Sequence, residues 1–133
     1  MQTHISTHLS IDRIFQALAD PTRLRMAALL AATKQGACVC ELTDALAERQ
    51  YNVSRHLKTL RAAGLVVPAR DGRWVYYRLA GPDGPVGRRL RALLRTLTDS
   101  PHLARDRDRF AVRLALRKHG RCCVWTAAER VVA

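Results

Sequence analysis

Four cysteines fall in two tight pairs, Cys38 with Cys40 and Cys122 with Cys123. Thiolates are soft ligands, so such pairs select soft or borderline ions, among them trivalent arsenic and antimony, cadmium, lead and zinc. A disulfide framework staples distant segments of a secreted protein, whereas clustered cysteines in a cytosolic chain point to metal or redox chemistry. The plain alternative is ordinary buried cysteine or, for the 122/123 pair, a tail without chemistry. Spacing adds a constraint. Residues two apart point to different sides of an α-helix but to the same side of an extended strand. Cys38 and Cys40 therefore grip one ion only where the chain is not regular helix.

The second set of chemically useful residues is basic. Val53, Leu57 and Leu60 repeat at helical spacing and predict a helix over 52–63, stopped by Gly64, which takes a left-handed conformation at low cost. Asn52, Ser54, Arg55, Lys58 and Arg61 then face outward. His56 borders the buried face and reads equally as a core histidine or a DNA contact. A short helix over 41–48, with Leu42, Ala45 and Leu46 inward, precedes this one across the turn Arg49 to Tyr51. Two runs rich in β-branched and aromatic residues follow, Leu65 to Ala69 and Trp74 to Leu79. The Asp71-Gly72 between them is a strong hairpin signal, and Arg70 and Arg73 flank the tip. Helix, turn, basic helix and basic hairpin is the order of a winged helix-turn-helix. Its recognition helix would read bases through Asn52, Ser54, Arg55 and His56, with Lys58, Arg61, Arg70 and Arg73 mainly on phosphate.

Other elements must hold these two sets in place. Residues 11–32 read as two helices divided at Asp20-Pro21, a cap followed by a first-turn proline. Ile11, Ile14, Phe15 and Leu18 are expected on one face of the first; Leu24, Ala27, Ala28 and Leu30 line the second. Beyond the breakers of 81–85, a helix over 86–98 carries the stripe Leu90, Leu93, Leu94 and Leu97, which faces either its own core or a second subunit. Ser100-Pro101 starts a last helix expected to end near Gly120.

The balance of 23 Lys and Arg against 11 Asp and Glu, a formal charge of +12, favours polyanionic partners through counterion release. With 48% apolar residues the chain is expected to form a soluble core, and no window approaches the apolar length of a membrane span. The N-terminal stretch has no basic region followed by an apolar run, so the expectation is a cytoplasmic protein with no membrane partner. A thiol enzyme is disfavoured: there is no phosphate loop, no Cys-x-x-Cys and no paired carboxylates in a plausible cleft. A thiol-redox sensor that binds DNA stays open, as does an architectural DNA binder without an inducer.

Five stretches carry a family resemblance: Leu18-Ala-Asp-Pro-Thr-Arg-Leu-Arg25, Cys38-Val-Cys-Glu-Leu42, Val53-Ser-Arg-His-Leu-Lys58, Ala63-Gly-Leu65 and Asp71-Gly-Arg-Trp-Val-Tyr-Tyr77. Together, over roughly residues 11–98, they resemble the ArsR/SmtB metalloregulatory repressors. The resemblance implies an α+β, mainly helical winged helix-turn-helix with a two-stranded β-hairpin wing and terminal dimerisation helices. It also implies a homodimer bound to double-stranded operator DNA and released by an inducer. Residues 1–100 would form the DNA-binding and dimerisation domain and 101–133 a C-terminal helical extension with the Cys-Cys tail.

The Cys-Val-Cys-Glu-Leu stretch is similar to the branch that responds to As(III) or Sb(III). Members of that branch place a third cysteine where this chain has Thr43, so Cys122 or Cys123 would have to supply the missing thiolate. The Asp and His pattern of the zinc-sensing members is not evident, and zinc, cadmium, lead or a redox signal remain the alternatives.

Overall fold

A computed structural model describes residues 11–97, 100–122 and 124–126. Among them the chain forms six α-helices and one two-stranded antiparallel sheet: α1 (Ile11–Leu18), α2 (Pro21–Ala31), α3 (Val39–Leu46), α4 (Gln50–Ala62), β1 (Val66–Asp71), β2 (Trp74–Leu79), α5 (Gly84–Arg95) and α6 (Pro101–Leu114). This is the expected winged helix-turn-helix, mainly helical, with α3 and α4 as the helix pair and β1–β2 as the wing.

Helix α2 is the axis of the fold. Asp20 caps it by accepting the Arg23 amide at 3.0 Å, Pro21 fills a first-turn position, and Met26 to Leu30 are buried on every side. Around it α1 contributes Ile14, Ala17 and Leu18. Here the expectation needs correcting: Ile11 and Phe15 point outward, Phe15 with 57% of its surface exposed. The buried stripe turns toward Ala17, and at about 100° per residue this carries Phe15 out of the core. In α5 the inward residues are Leu90 and Leu94, while Leu93 is exposed.

The turn of the helix pair also shifts. Ala47 takes a left-handed φ of 53°, ending α3 at Leu46, and α4 then begins at Gln50 instead of Asn52. The wing tightens likewise, since β1 runs on to Asp71, which pairs with Trp74, leaving Gly72 and Arg73 as the turn.

Helix α6 starts as expected, with the Ser100 hydroxyl accepting the Leu103 amide at 3.2 Å, but it ends at Leu114 and not near Gly120. A tight turn follows. His119 and Gly120 both adopt positive φ, and Lys118 and Arg121 exchange backbone hydrogen bonds across them at 2.9 and 3.0 Å. The chain thereby reverses and sends Cys122 back toward α3. Phe110 of α6 belongs to the same core as α2 and α3, and Asp106 accepts two bonds from Arg25 of α2 at 2.7 and 2.8 Å. Helix α6, the first part of the segment expected as an extension, is thus built onto the main core.

Candidate sulfur site and nucleic-acid interface

Three of the four cysteines converge. The Cys38 and Cys40 sulfurs lie 3.1 Å apart and the Cys40 and Cys122 sulfurs 3.4 Å apart, and all three fall within 4.8 Å of one another. All are buried, at 3%, 7% and 2% exposure. Cys123 lies outside the described residues.

Local backbone explains how residues two apart meet. Cys38 is the N-cap of α3, extended at φ −87° and ψ 167°, while Cys40 already sits in the first helical turn. The expectation that Cys40 precedes the helix is therefore off by two residues, but the inference that the pair cannot lie wholly in regular helix stands. Just upstream, Gly36 holds φ at +83° so close to the wing that an added Cβ would meet the Tyr77 carbonyl at 2.4 Å. This close approach lets Ala37 and Tyr77 exchange backbone hydrogen bonds at 2.9 and 2.8 Å. Tyr76, next along β2, has its hydroxyl oxygen accepting the Cys122 amide at 2.7 Å. The sulfur cluster thus touches the first helix of the reading pair, the wing and the tail at once.

Charged neighbours arrive in pairs. Glu41, with no exposed surface, accepts the Cys38 amide at 3.1 Å and a two-pronged bond from Arg117 at 2.7 and 2.8 Å. Arg113 is 2% exposed; its Nε donates to Asp44 at 2.8 Å, and its Nη2 donates to the Val124 carbonyl at 2.6 Å and lies 3.9 Å from the Cys122 sulfur. The hydrogen bond from Cys38 pushes the Cys40 thiol down to about 7, with the Arg113 charge helping and burial opposing. The same contact pushes Cys38 up, and burial pushes Cys122 up.

None of Arg113, Arg117 and Tyr76 was singled out from sequence. The Cys38-x-x-Glu41 spacing is that of a capping box with a thiol in place of a hydroxyl, and was legible. Arg113 and Arg117 fall four apart in the stretch expected as the last helix, a spacing that says only that they would share a face. Thr43, at the position of the family's third cysteine, is buried, and its hydroxyl has no hydrogen-bond partner among the described residues.

The donor set fits a soft ion. Sulfurs bound at about 2.3 Å around a tetrahedral ion lie roughly 3.8 Å apart, so the sulfurs, at 3.1 and 3.4 Å here, would spread by a few tenths of an ångström or more to take one. Cys38, Cys40 and Cys122 would hold it, and with the carboxylates of Glu41 and Asp44 committed to arginines the donors are all sulfur.

Ser54, Arg55, Lys58 and Arg61 are exposed along α4, Asn52 is partly so, and Arg70 and Arg73 are exposed on the wing. Ser54, Arg55, Lys58 and Arg61 line a groove of about 350 Å³ closed by Tyr77 of the wing. His56 departs from the expected reading set. It is buried, its Nδ1 is 3.3 Å from Arg23 and its Nε2 4.0 Å from Asp20, so it braces α4 against α2 and does not face outward. Burial holds its pKa below the usual histidine value, against the pull of Asp20. No helix among the described residues is long and apolar enough to cross a membrane.

Comparison with known proteins agrees with this geometry. Residues 20–67 match the family described as "Bacterial regulatory protein, arsR family". The arsenic resistance transcriptional regulator ArsR1 of Pseudomonas putida is 50% identical over 76 residues, covering 57% of this chain and 59% of that protein. The chain thus spans somewhat less than two thirds of the arsenic-resistance regulators it matches. The solution structure of the cadmium sensor CMTR of Mycobacterium tuberculosis is 38% identical, with a TM-score of 0.51 over 69% of this chain and 95% of that one. A homodimeric winged helix-turn-helix DNA-binding domain from Mycobacterium bovis is 30% identical, with a TM-score of 0.56 over 74% of this chain and 88% of that one. Matched by the family description over its helix pair and 38% identical to a regulator of which it covers 95%, the chain belongs to the arsR family.

Proposed function

We propose that the protein is a homodimeric repressor that binds operator DNA and is released when As(III) or Sb(III) is captured by Cys38, Cys40 and Cys122. One observation carries this reading: three buried thiols meet where the first helix of the reading pair, the wing and the tail come together. Capture exchanges three As–O bonds of arsenous acid for three As–S bonds, each thiol proton leaving with a hydroxide as water, with no change of oxidation state. Three thiolates balance a trivalent centre, so the filled pocket is neutral. A divalent ion in the same pocket would leave a net negative charge in a water-poor site, which is costly.

Asn52, Ser54 and Arg55 are assigned to base edges and Lys58, Arg61, Arg70 and Arg73 to phosphates, in keeping with their exposure along one helix and the wing. Apolar side chains left outward on the flanking helices, Ile11 and Phe15 on α1 and Val86 and Leu93 on α5, supply the dimer contact. Coupling runs through the backbone: movement at Cys38 reaches the wing by the Ala37–Tyr77 pairing and reaches α4 through α3. Coupling of this kind is typically about 1 to 3 kcal/mol, or roughly 5- to 150-fold in DNA affinity.

The similarity to a cadmium sensor favours a second reading, a divalent thiophilic inducer at the same thiols. Titrating the reduced protein on its own upstream DNA with arsenite, antimonite, cadmium, lead and zinc separates the two, and a peroxide arm tests thiol oxidation. Release is expected at the lowest concentration with arsenite or antimonite. Release by cadmium or lead alone would move the assignment to the divalent ions, and indifference to every ion would end it.

A further inference from the structure

Trp125, three residues beyond Cys122, lays its half-exposed indole on the wing. Its ring centre is 4.9 Å from that of Trp74 at a tilt of 52°, and the Arg73 guanidinium lies 5.4 Å from Trp74 and 5.6 Å from Trp125. Arg73 is one of the two residues of the wing turn and belongs to the phosphate-contacting set proposed above. The tail that carries the third thiol therefore also holds a residue needed on DNA. A second tail contact, Arg121 Nε to Asp71 Oδ2 at 3.1 Å, lies beside the same turn.

Strand alternation shows which way Arg73 is held. Trp74 and Tyr76 point to one face of the hairpin and Tyr77 to the other. Tyr77 closes the groove lined by Ser54, Arg55, Lys58 and Arg61, so an arginine lying on Trp74 and Trp125 is turned away from the recognition helix. The tail is fixed near the thiols at three points: the Cys122 amide on the Tyr76 hydroxyl, and the Val124 and Trp125 carbonyls on Arg113 at 2.6 and 3.3 Å. Cys122 and Trp125 thus share a neighbour, Arg113, which lies 3.9 Å from the Cys122 sulfur and donates to the Trp125 carbonyl.

We infer that Trp125 is the positioning residue through which the filled thiol site reaches DNA, holding Arg73 on the rear face of the wing and away from phosphate. The inference rests on the thiol-site reading and adds its output. Bonds from Cys122 to a shared ion fix the tail more firmly than hydrogen bonds alone, and the indole then competes with the phosphate backbone for one guanidinium. An exposed cation–π contact accounts for about twofold to fivefold in such a competition, so Trp125 carries part of the release and the α3 movement the remainder.

The test uses the full-length reduced protein, arsenite as the probe and a duplex of its own upstream DNA. Thiolate-to-arsenic absorbance counts the bound sulfurs, and fluorescence anisotropy of the labelled duplex gives DNA affinity with and without arsenite. Trp125→Ala is expected to keep the three-sulfur absorbance and to bind DNA at least as tightly as wild type without arsenite. Its arsenite-induced loosening should shrink by about twofold to fivefold. Trp125→Phe, which keeps an aromatic face, should restore most of that loss, and in an Arg73→Ala background Trp125→Ala should change nothing further. Full release by Trp125→Ala overturns the inference. So does a loss of release that comes with loss of the three-sulfur absorbance, because Trp125 would then serve only the ion site. Wild type that shows the absorbance and the release while Trp125→Ala behaves identically sinks this inference alone. Wild type that shows neither sinks the thiol-site reading with it.

Discussion

The sulfur site and the reading face are built on opposite terms. Around the thiols every charged group named above has a partner supplied by the fold, Glu41 with Arg117 and Asp44 with Arg113, and the sulfurs themselves are out of water. Along α4 Arg55, Lys58 and Arg61 stand in solvent, and Arg55 makes only a long contact to Asn52, at 3.5 Å, among the described residues. Burial forces the first arrangement, since an unpaired charge costs several kcal/mol once water is removed. The second needs only a rigid helix, because water and counterions serve the arginines until DNA displaces them. Changes at the sulfur site should therefore be felt in stability or in the inducer response, and changes on the reading face in DNA affinity alone.

The sharpest way to break this contrast is Arg117→Ala. It strands the Glu41 carboxylate in the interior and should cost about 3 to 5 kcal/mol in urea unfolding. Burial pushes the Glu41 carboxyl up, but Arg117 and the Cys38 amide outweigh it and hold it below the usual range, consistent with a group that relies on its partner. A loss below about 1 kcal/mol would mean that water reaches this corner and that the two regions differ less than their burial implies.

Next in size is Cys40→Ser. Cys40 is the sulfur adjacent to both of the others, so arsenite should no longer loosen DNA, removing the whole of the coupling of about 1 to 3 kcal/mol. DNA affinity without the ion should stay near wild type. Release at an unchanged arsenite concentration would take the inducer site away from these thiols.

On the reading face, Arg55→Ala should weaken DNA binding by about 1 to 3 kcal/mol if the arginine reaches a base edge. If it meets only a phosphate, the salt slope should fall by about one with a smaller loss. Thermal stability should move by no more than about 0.5 kcal/mol in either case. A large stability loss there would erase the contrast.

The smallest effect is expected at Asp20, which belongs to neither region. Asp20→Ala should cost about 1 kcal/mol through the lost cap on α2. The hydrogen bond from the Arg23 amide holds this carboxyl below its usual value, with burial opposing. A depressed acid stabilises the fold above its unfolded pKa of about 3.9, and that contribution fades as pH falls through the lower folded value. The variant should therefore lose less stability than wild type on acidification below about pH 4, which thermal melts across pH 2 to 6 would register.

Much of this was legible before any coordinates. Val53, Leu57 and Leu60 set the face that α4 buries, Asp20-Pro21 marks the start of α2, and Asp71-Gly72 announces the wing, because periodicity, capping and turn chemistry are local. Errors fell where tertiary context overrides local preference. Phe15 looked like core from its spacing but faces outward, and the turn between α3 and α4 moved by two residues because Ala47 accepts a left-handed conformation. His56 sat on a boundary that spacing could not resolve, and packing against Arg23 and Asp20 placed it inside.

What the amino-acid order alone determined is the succession of helices and hairpin, the basic outward face of α4, and the presence of soft sulfur in two places. What the tertiary structure decided is that Cys122 joins Cys38 and Cys40 across more than eighty residues, and that Arg113, Arg117 and Tyr76 hold them there. The physical reason is range. Helical period and turn preference act over a few neighbours, whereas the meeting of three thiols depends on the reversal at His119-Gly120 and on the buried ion pairs that Arg113 and Arg117 make with α3.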